Sequence, residues 1–272
     1  MMTEFPEGAP CWADAMFKDV EGAKAFYGEV LGWTFGDAVS EFGNYTQAYS
    51  GGKAVAAVVP PMPGADEPAS QWTLYFASPD VAATAEKIKA AGGAVLMEPM
   101  QVGTFGSMAI ATEPTGAVFG VWQPGDHKGF EKVGEVGSYC WAELATREPS
   151  KADAFLTKVF PYSSQEMETG GDPAAAEMDY KAFSLAGAEN PVLGRMKTGA
   201  DLEPQTPSHI RVYFSVDDCD EAVAKAKKLG GEVHGGPMDS PFGRFAALTD
   251  QQGAAFMVID TARAVGEMPK MK

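Results

Sequence analysis

Two tetrapeptides carry the residues best suited to chemistry in this chain. CWAD (11–14) and CWAE (140–143) each place an acid two residues after a tryptophan. In an extended strand, residues i and i+2 project from one face. Trp12 is therefore expected beside Asp14, and Trp141 beside Glu143. An acid enclosed by apolar rings has its charged form disfavoured, so its pKa rises. It can then act as a general base or as a hydrogen-bond acceptor for a ligand. Asp14 and Glu143 are accordingly the catalytic candidates. Trp12, Trp141, Trp122, Tyr75 and Tyr213 are candidates to stack on a planar molecule, and Arg211 to hold an anionic group. A plainer reading uses the same residues. Each acid could pair with a cation such as Arg211 or sit at a barrel mouth, and the rings could simply pack units together. The sequence leaves both readings open.

The two tetrapeptides share an address because the chain is internally duplicated. Residues 8–31 realign with 137–160 at a constant offset of 129, with eight identities in 24 positions. Residues 70–93 match 208–231 at an offset of 138, and 105–119 match 242–256 at 137. Such self-similarity marks a repeated structural unit. It divides the 272 residues into a domain over 1–125, a second over 136–262, and a tail over 263–272. Each half divides again into strand, helix, then several strands. Ala23, Phe26, Tyr27, Val30 and Leu31 form an apolar stripe at helical spacing, and Ala152, Phe155, Leu156, Val159 and Phe160 repeat it in phase. Asp19 suits the N-cap, Gly32 the position past the helix end, and Pro149 a first helical turn. Linkers are expected at 60–68 and 124–135, a loop insertion at 170–177, and a loosely held tail after Asp260.

Composition narrows the function classes. The formal net charge is −16, with 21 basic against 37 acidic residues. Nucleic-acid binding needs Lys and Arg to displace counterions, so it is not expected. An anionic membrane surface is disfavoured for the same reason. No apolar run reaches membrane-spanning length, and the first residues lack the basic and apolar regions of a secretory signal. Three cysteines without a CxxC pattern read as free thiols of a reducing, cytoplasmic location. Cys11 and Cys140 are expected to face the helices, with the small residues of their rows. P-loop, GxGxxG, GxSxG and HExxH patterns are absent from the sequence.

The segment AFYGEVLGW (25–33) and the ending ATEPTGAVFGVWQ (111–123) resemble the vicinal oxygen chelate superfamily, which includes glyoxalase I, bleomycin-resistance proteins and extradiol dioxygenases. The resemblance covers roughly 8–125 and 136–262, and is nearest to two-domain proteins labelled glyoxalase-like or "hydroxylase". It implies an α+β fold: a duplicated two-domain chain of four βαβββ units, paired into curved mixed sheets with helices outside. Enzymes of the group usually hold a divalent metal with His and Glu. The positions that match their ligands are Trp12 and Trp141, then Thr73 and Arg211, then Gly120 and Met257. None of these side chains is a usual ligand, and Arg stays protonated. His127, His209 and His234 read as exposed or structural histidines, so no metal and no cofactor is expected.

These features together point to a metal-independent protein that holds a small hydrophobic or aromatic molecule, a metabolite or an antibiotic, in a cavity between sheets. The alternative is a lyase, isomerase or oxygenase-like enzyme acting on a small carbonyl or polyketide-like substrate, with Asp14 or Glu143 as base. A third reading is a filled module used for protein contacts. The sequence does not identify the ligand, the oligomeric state or the units that pair around each cavity.

Overall fold

Four amphipathic helices form among the described residues, two of them where the apolar spacing predicts them. The computed structural model describes residues 5–61, 70–168, 179–199 and 206–272. Most of the expected linker at 60–68, and the whole expected insertion at 170–177, lie outside the described residues. Helix α1 (Val20–Leu31) buries Ala23, Phe26, Tyr27, Val30 and Leu31. Asp19 caps it by accepting from the Gly22 N–H, and Gly32 ends it at φ 70°. Helix α3 (Pro149–Val159) buries Ala152, Phe155, Leu156 and Val159. Helices α2 (Val81–Ala90) and α4 (Cys219–Lys228) start at the caps Asp80 and Asp218.

Each half builds one eight-stranded mixed sheet. The first contains β1 (Pro10–Met16), β2 (Thr34–Phe35), β3 (Thr46–Ser50), β4 (Lys53–Val59), β5 (Trp72–Ala77), β6 (Ala94–Val102), β7 (Gly106–Thr112) and β8 (Val118–Pro124), in the order β2-β3-β4-β1-β5-β8-β7-β6. The second contains β9 (Tyr139–Thr146), β10 (Tyr162–Glu166), β11 (Tyr180–Leu185), β12 (Pro191–Lys197), β13 (His209–Ser215), β14 (Glu232–Ser240), β15 (Gly243–Thr249) and β16 (Ala255–Asp260). Its order is β10-β11-β12-β9-β13-β16-β15-β14, the same pattern repeated. Consecutive units therefore share a sheet, joined where β1 meets β5 and β9 meets β13, both antiparallel.

The sheets are curved, as two contacts require. Phe42, in a 3-10 turn near one edge of the first sheet, lies 5.3 Å from Phe105 near the other edge. In the second half, the Val265 N–H donates to Ser240 O at the end of β14, while Lys270 O accepts from the Glu168 N–H just past β10. Five residues span at most about 18 Å. Seven strand spacings in a flat sheet would need about 34 Å. The tail is thus a strap joining the two edges: Lys272 exchanges two backbone hydrogen bonds with Glu166, and Met271 bridges Met167. This corrects the expectation of a loose tail. Backbone pairing with an open sheet edge holds it, although its side chains are mostly exposed.

The helices lie outside the mixed faces of the sheets, but the opposite half covers them. Helix α1 packs on α4, and α2 on α3. Trp33 and Trp72 close on Phe214 of the other half at 5.2 and 5.1 Å. Phe76 meets Phe160 at 5.2 Å, and Phe119 meets Phe155 at 6.0 Å. The Trp72 indole donates to the Tyr27 hydroxyl, which donates to Asp250, at 2.9 Å each. One apolar core therefore runs through both halves. No helix among the described residues is long and apolar enough to cross a membrane.

A shared core predicts shared unfolding. Urea titrations followed by tryptophan fluorescence and by far-UV circular dichroism will coincide in a single transition. Phe214→Ala, at a site with no exposed surface, will lower stability by about 3–5 kcal/mol without splitting that transition. Two separated transitions would show that the halves fold independently.

Candidate functional site

The duplicated acids lie at matching central positions of the two sheets. Asp14 on β1 sits opposite Ala57 of β4 and Thr73 of β5. Glu143 on β9 sits opposite Gly194 of β12 and Arg211 of β13. Each acid ends the same polar chain. In the first half, the Trp12 indole donates to the Tyr45 hydroxyl at 2.6 Å. Tyr45 and Tyr75 then donate to the two Asp14 oxygens at 3.1 and 3.2 Å. In the second half, Trp141 donates to Tyr180 at 3.2 Å, and Tyr180 and Tyr213 donate to Glu143 at 3.0 and 2.7 Å. The predicted Trp12, Asp14 and Tyr75 thus come together, as do Trp141, Glu143 and Tyr213.

Tyr45 and Tyr180 are not among the sequence candidates. A signal for them exists: NYTQAYS (44–50) and DYKAFS (179–184) place a tyrosine at one address in both halves. A one-residue difference between the segments, with a bulge in each strand pairing, obscures the match. Glycines make room for the rings. A Cβ at Gly194 would lie 2.1 Å from the Tyr180 oxygen, and one at Gly120 would lie 2.1 Å from the Tyr75 ring.

Bulges also move the cysteines. Trp12 pairs with Tyr75 and Pro10 with Phe76, so Cys11 has no partner across the ladder; Cys140 is skipped in the same way. An extra residue interrupts strand alternation. Cys140 consequently packs with Trp141, Tyr213, Met257 and Ile259 rather than against a helix, which corrects the face expected for it. Burial pushes its thiol pKa up to about 12 and keeps it protonated. Cys11 is fully buried, with its thiol directed to Tyr75 O at 3.4 Å.

The two faces differ in what covers them. On the first sheet, the segment after β8 turns inward. His127 lies edge-on to Trp12 at 4.4 Å and to Trp122 at 5.5 Å, and Phe130 lies 5.5 Å from Trp12. Trp122 donates to His127 O at 3.0 Å. The Phe130 N–H donates to Cys11 O, and the Glu131 N–H to Ala54 O, which pin the segment across β1 and β4. Trp12 is left 3% exposed and Trp122 7%. His127 is held between these rings with its Nε2 buried and without a hydrogen-bond partner among the described residues, and burial holds its pKa down to about 4. On the second sheet, Trp141 and Tyr180 remain half-buried, and Ile259 takes the place of Trp122. Trp141 makes no ring–ring contact among the described residues.

Glu143 does not pair with Arg211, although the two are cross-strand neighbours. Two phenols satisfy its oxygens instead. Asp14 is half-buried, and desolvation raises its pKa from 3.8 to about 7, partly opposed by the hydrogen bonds from Tyr75 and Tyr45. The positions matching metal ligands in the resembling enzymes do not fit a divalent cation. They carry indole, hydroxyl, guanidinium, glycine and thioether, and the Tyr75 ring fills the space beside Gly120. No group of three His, Cys, Asp or Glu among the described residues could hold a metal ion. His209 and His234 bond to Pro207 O and the Thr249 hydroxyl. The two faces thus present a flat indole and phenols held by hydrogen bonds, and the second adds the Arg211 cation.

Comparisons with known proteins agree with this architecture. A model of the Glyoxalase/Bleomycin resistance protein/Dioxygenase superfamily matches residues 12–121 and 139–258. The putative glyoxylase CFP32 of Mycobacterium tuberculosis is 38% identical over 267 residues, covering 96% of this chain and 97% of the relative. The anthracycline biosynthesis protein DauV of Streptomyces sp. strain C5 is 37% identical over 280 residues, covering 97% of each. Among solved structures, the Mn(II)-bound glyoxalase from Novosphingobium aromaticivorans aligns with TM-score 0.62 at 16% identity, over 96% of this chain and 86% of that one. The 2,2',3-trihydroxybiphenyl 1,2-dioxygenase of Sphingomonas wittichii aligns with TM-score 0.59 at 13% identity, over 97% and 93%. The last two establish likeness of fold alone.

The Asp14 environment gives a signed pH dependence. A raised folded pKa means that the folded chain keeps a proton the unfolded chain has released. The Asp14 contribution to stability therefore falls as pH climbs from 3.8 towards about 7. Relative to Asp14→Asn, the urea midpoint of the wild type will decline across that window. Parallel pH profiles for the two proteins would contradict the assignment.

Proposed function

The chain belongs to the glyoxalase/bleomycin resistance protein/dioxygenase superfamily, and we propose that it binds a small aromatic molecule on the concave face of its second sheet, without a metal at the superfamily's ligand positions. One observation carries this reading: of two matching aromatic–acid faces, the first is filled by the chain's own His127 and Phe130, whereas among the described residues no such pair packs on the second, where Trp141 stays half-buried. Trp141 offers a half-buried indole, and Met257, Ile259, Phe245 and Cys140 supply an apolar surround. Such a surface, with few placed polar groups, suits a planar apolar ligand. The relative named for anthracycline biosynthesis supports an aromatic polyketide as the class of occupant.

Binding is preferred to proton abstraction on physical grounds. Both Glu143 oxygens already accept phenolic hydrogens. To take a proton from a ligand, either oxygen would have to share or give up one of these donors. Asp14 is farther from such a role, because the linker covers the indole beside it. In this reading the first face is structural and the second is the receptor.

Titration of the full chain with a neutral naphthoquinone will show one saturable site per chain by calorimetry. Trp141→Phe will remove most of the accompanying fluorescence quenching, and Trp12→Phe will leave it nearly unchanged. The reverse pattern would place the ligand on the first sheet, and no saturable binding by this or other fused aromatic rings would remove the proposal.

A further inference from the structure

Five arginines occur in the chain, and four have evident partners. Arg195 is 2% exposed and is neutralised by Asp153 and Asp179. Arg244 pairs with Asp220 and Asp239, and Arg263 with Asp220. Arg147 donates to Thr206 O. Arg211 differs: among the described residues it takes no hydrogen bond and no ion pair. Among the described residues, this half-buried guanidinium has no carboxylate partner.

Its position explains how that is possible. Arg211 stands opposite Glu143, an acid within cross-strand reach. Tyr180 and Tyr213 occupy both Glu143 oxygens, so the acid has no need of the cation. His209 and Tyr213 flank Arg211 in the same strand row, and its charge acts on both: it adds to burial in disfavouring protonation of His209, and it partly opposes the burial and the Glu143 charge that raise the Tyr213 pKa. The His209 ring is turned to Pro207 O. The guanidinium therefore lies on the concave face, between the Trp141–Tyr213 end and His209, and its donors have no partner among the described residues. In the first half the same address holds Thr73, and no cation replaces it. The cation is specific to the uncovered face.

We propose that Arg211 is the specificity-determining residue of the second face, and that the preferred ligand is an aromatic carboxylate: a planar ring on Trp141 and a carboxylate on the Arg211 fork. The inference rests on the proposed binding face and adds the charge of its occupant. A planar guanidinium matches a carboxylate through two parallel hydrogen bonds. The Glu143 charge opposes such a ligand, and the two phenols that donate to it moderate the repulsion.

Two probes of nearly one shape separate charge from ring: 2-naphthoate, ionised near neutral pH, and the uncharged 2-naphthamide. Calorimetry on the full chain is expected to show 2-naphthoate binding about tenfold more tightly, as one charge-assisted hydrogen-bonded pair implies. Arg211→Met keeps an apolar stem; it will abolish that preference while leaving 2-naphthamide affinity within about twofold. Arg211→Lys will keep part of the preference, since it retains charge without the fork. Glu143→Gln will increase it. Equal affinity for both probes in the wild type, unchanged in Arg211→Met, would overturn the role of Arg211 and leave the aromatic-binding face standing. Failure of both probes to bind would overturn the face itself, and the inference with it. A preference for the anion that survives in Arg211→Met would assign it to another group and also overturn the proposal.

Discussion

A carboxylate removed from water must find hydrogen-bond donors, and this chain supplies them as paired phenols. Everything distinctive about the two concave faces derives from that constraint. Each acid sits at the centre of an eight-stranded sheet, where one tyrosine from the adjacent strand and one from beyond the strand on the other side converge on its two oxygens. Glycine at 194 makes room for one phenol, and glycine at 120 for another. A tryptophan indole fixes one tyrosine of each pair. Arg211, lying beside an acid that is already satisfied, has no hydrogen-bond partner among the described residues.

Duplication made two such faces, and the connections between elements made them unequal. The linker between the halves turns into the first sheet, where His127 and Phe130 pack on Trp12 and bury it. The segment after the last strand of the second half instead straps the sheet edges together through backbone hydrogen bonds and keeps its own side chains largely in water. One face became part of the interior while its counterpart kept a half-buried indole. The back-to-back arrangement supports this division. Aromatic contacts from both halves merge the helix-covered sides into one core, so the concave faces can differ without separating the domains.

Much of this is legible in residue order. The offset of 129 alone equates Trp12 with Trp141 and Asp14 with Glu143. Apolar spacing locates α1 and α3, and strand alternation places each tryptophan beside its acid. Three features are not legible. The bulges at Cys11 and Cys140 break alternation with no local marker, so alternation assigns Cys140 to the wrong face. Tyr45 and Tyr180 reach the acids across an intervening strand, β4 or β12, a juxtaposition that exists only in the folded sheet order. The inward turn of the linker depends on tertiary packing: its Gly, Lys and Glu residues read as a solvated connector, yet backbone bonds to Cys11 and Ala54 draw His127 and Phe130 onto Trp12. The same composition could have crossed the surface.

Inequality of the two faces is the claim on which the functional reading turns, and a crystal structure of the full chain grown with 2-naphthoate tests it most directly. The account predicts ligand density against the Trp141 indole, with the carboxylate at Arg211, and an undisturbed cluster of Trp12, His127 and Phe130. Density against Trp12 with the linker displaced, or equal occupancy of both faces, would contradict it.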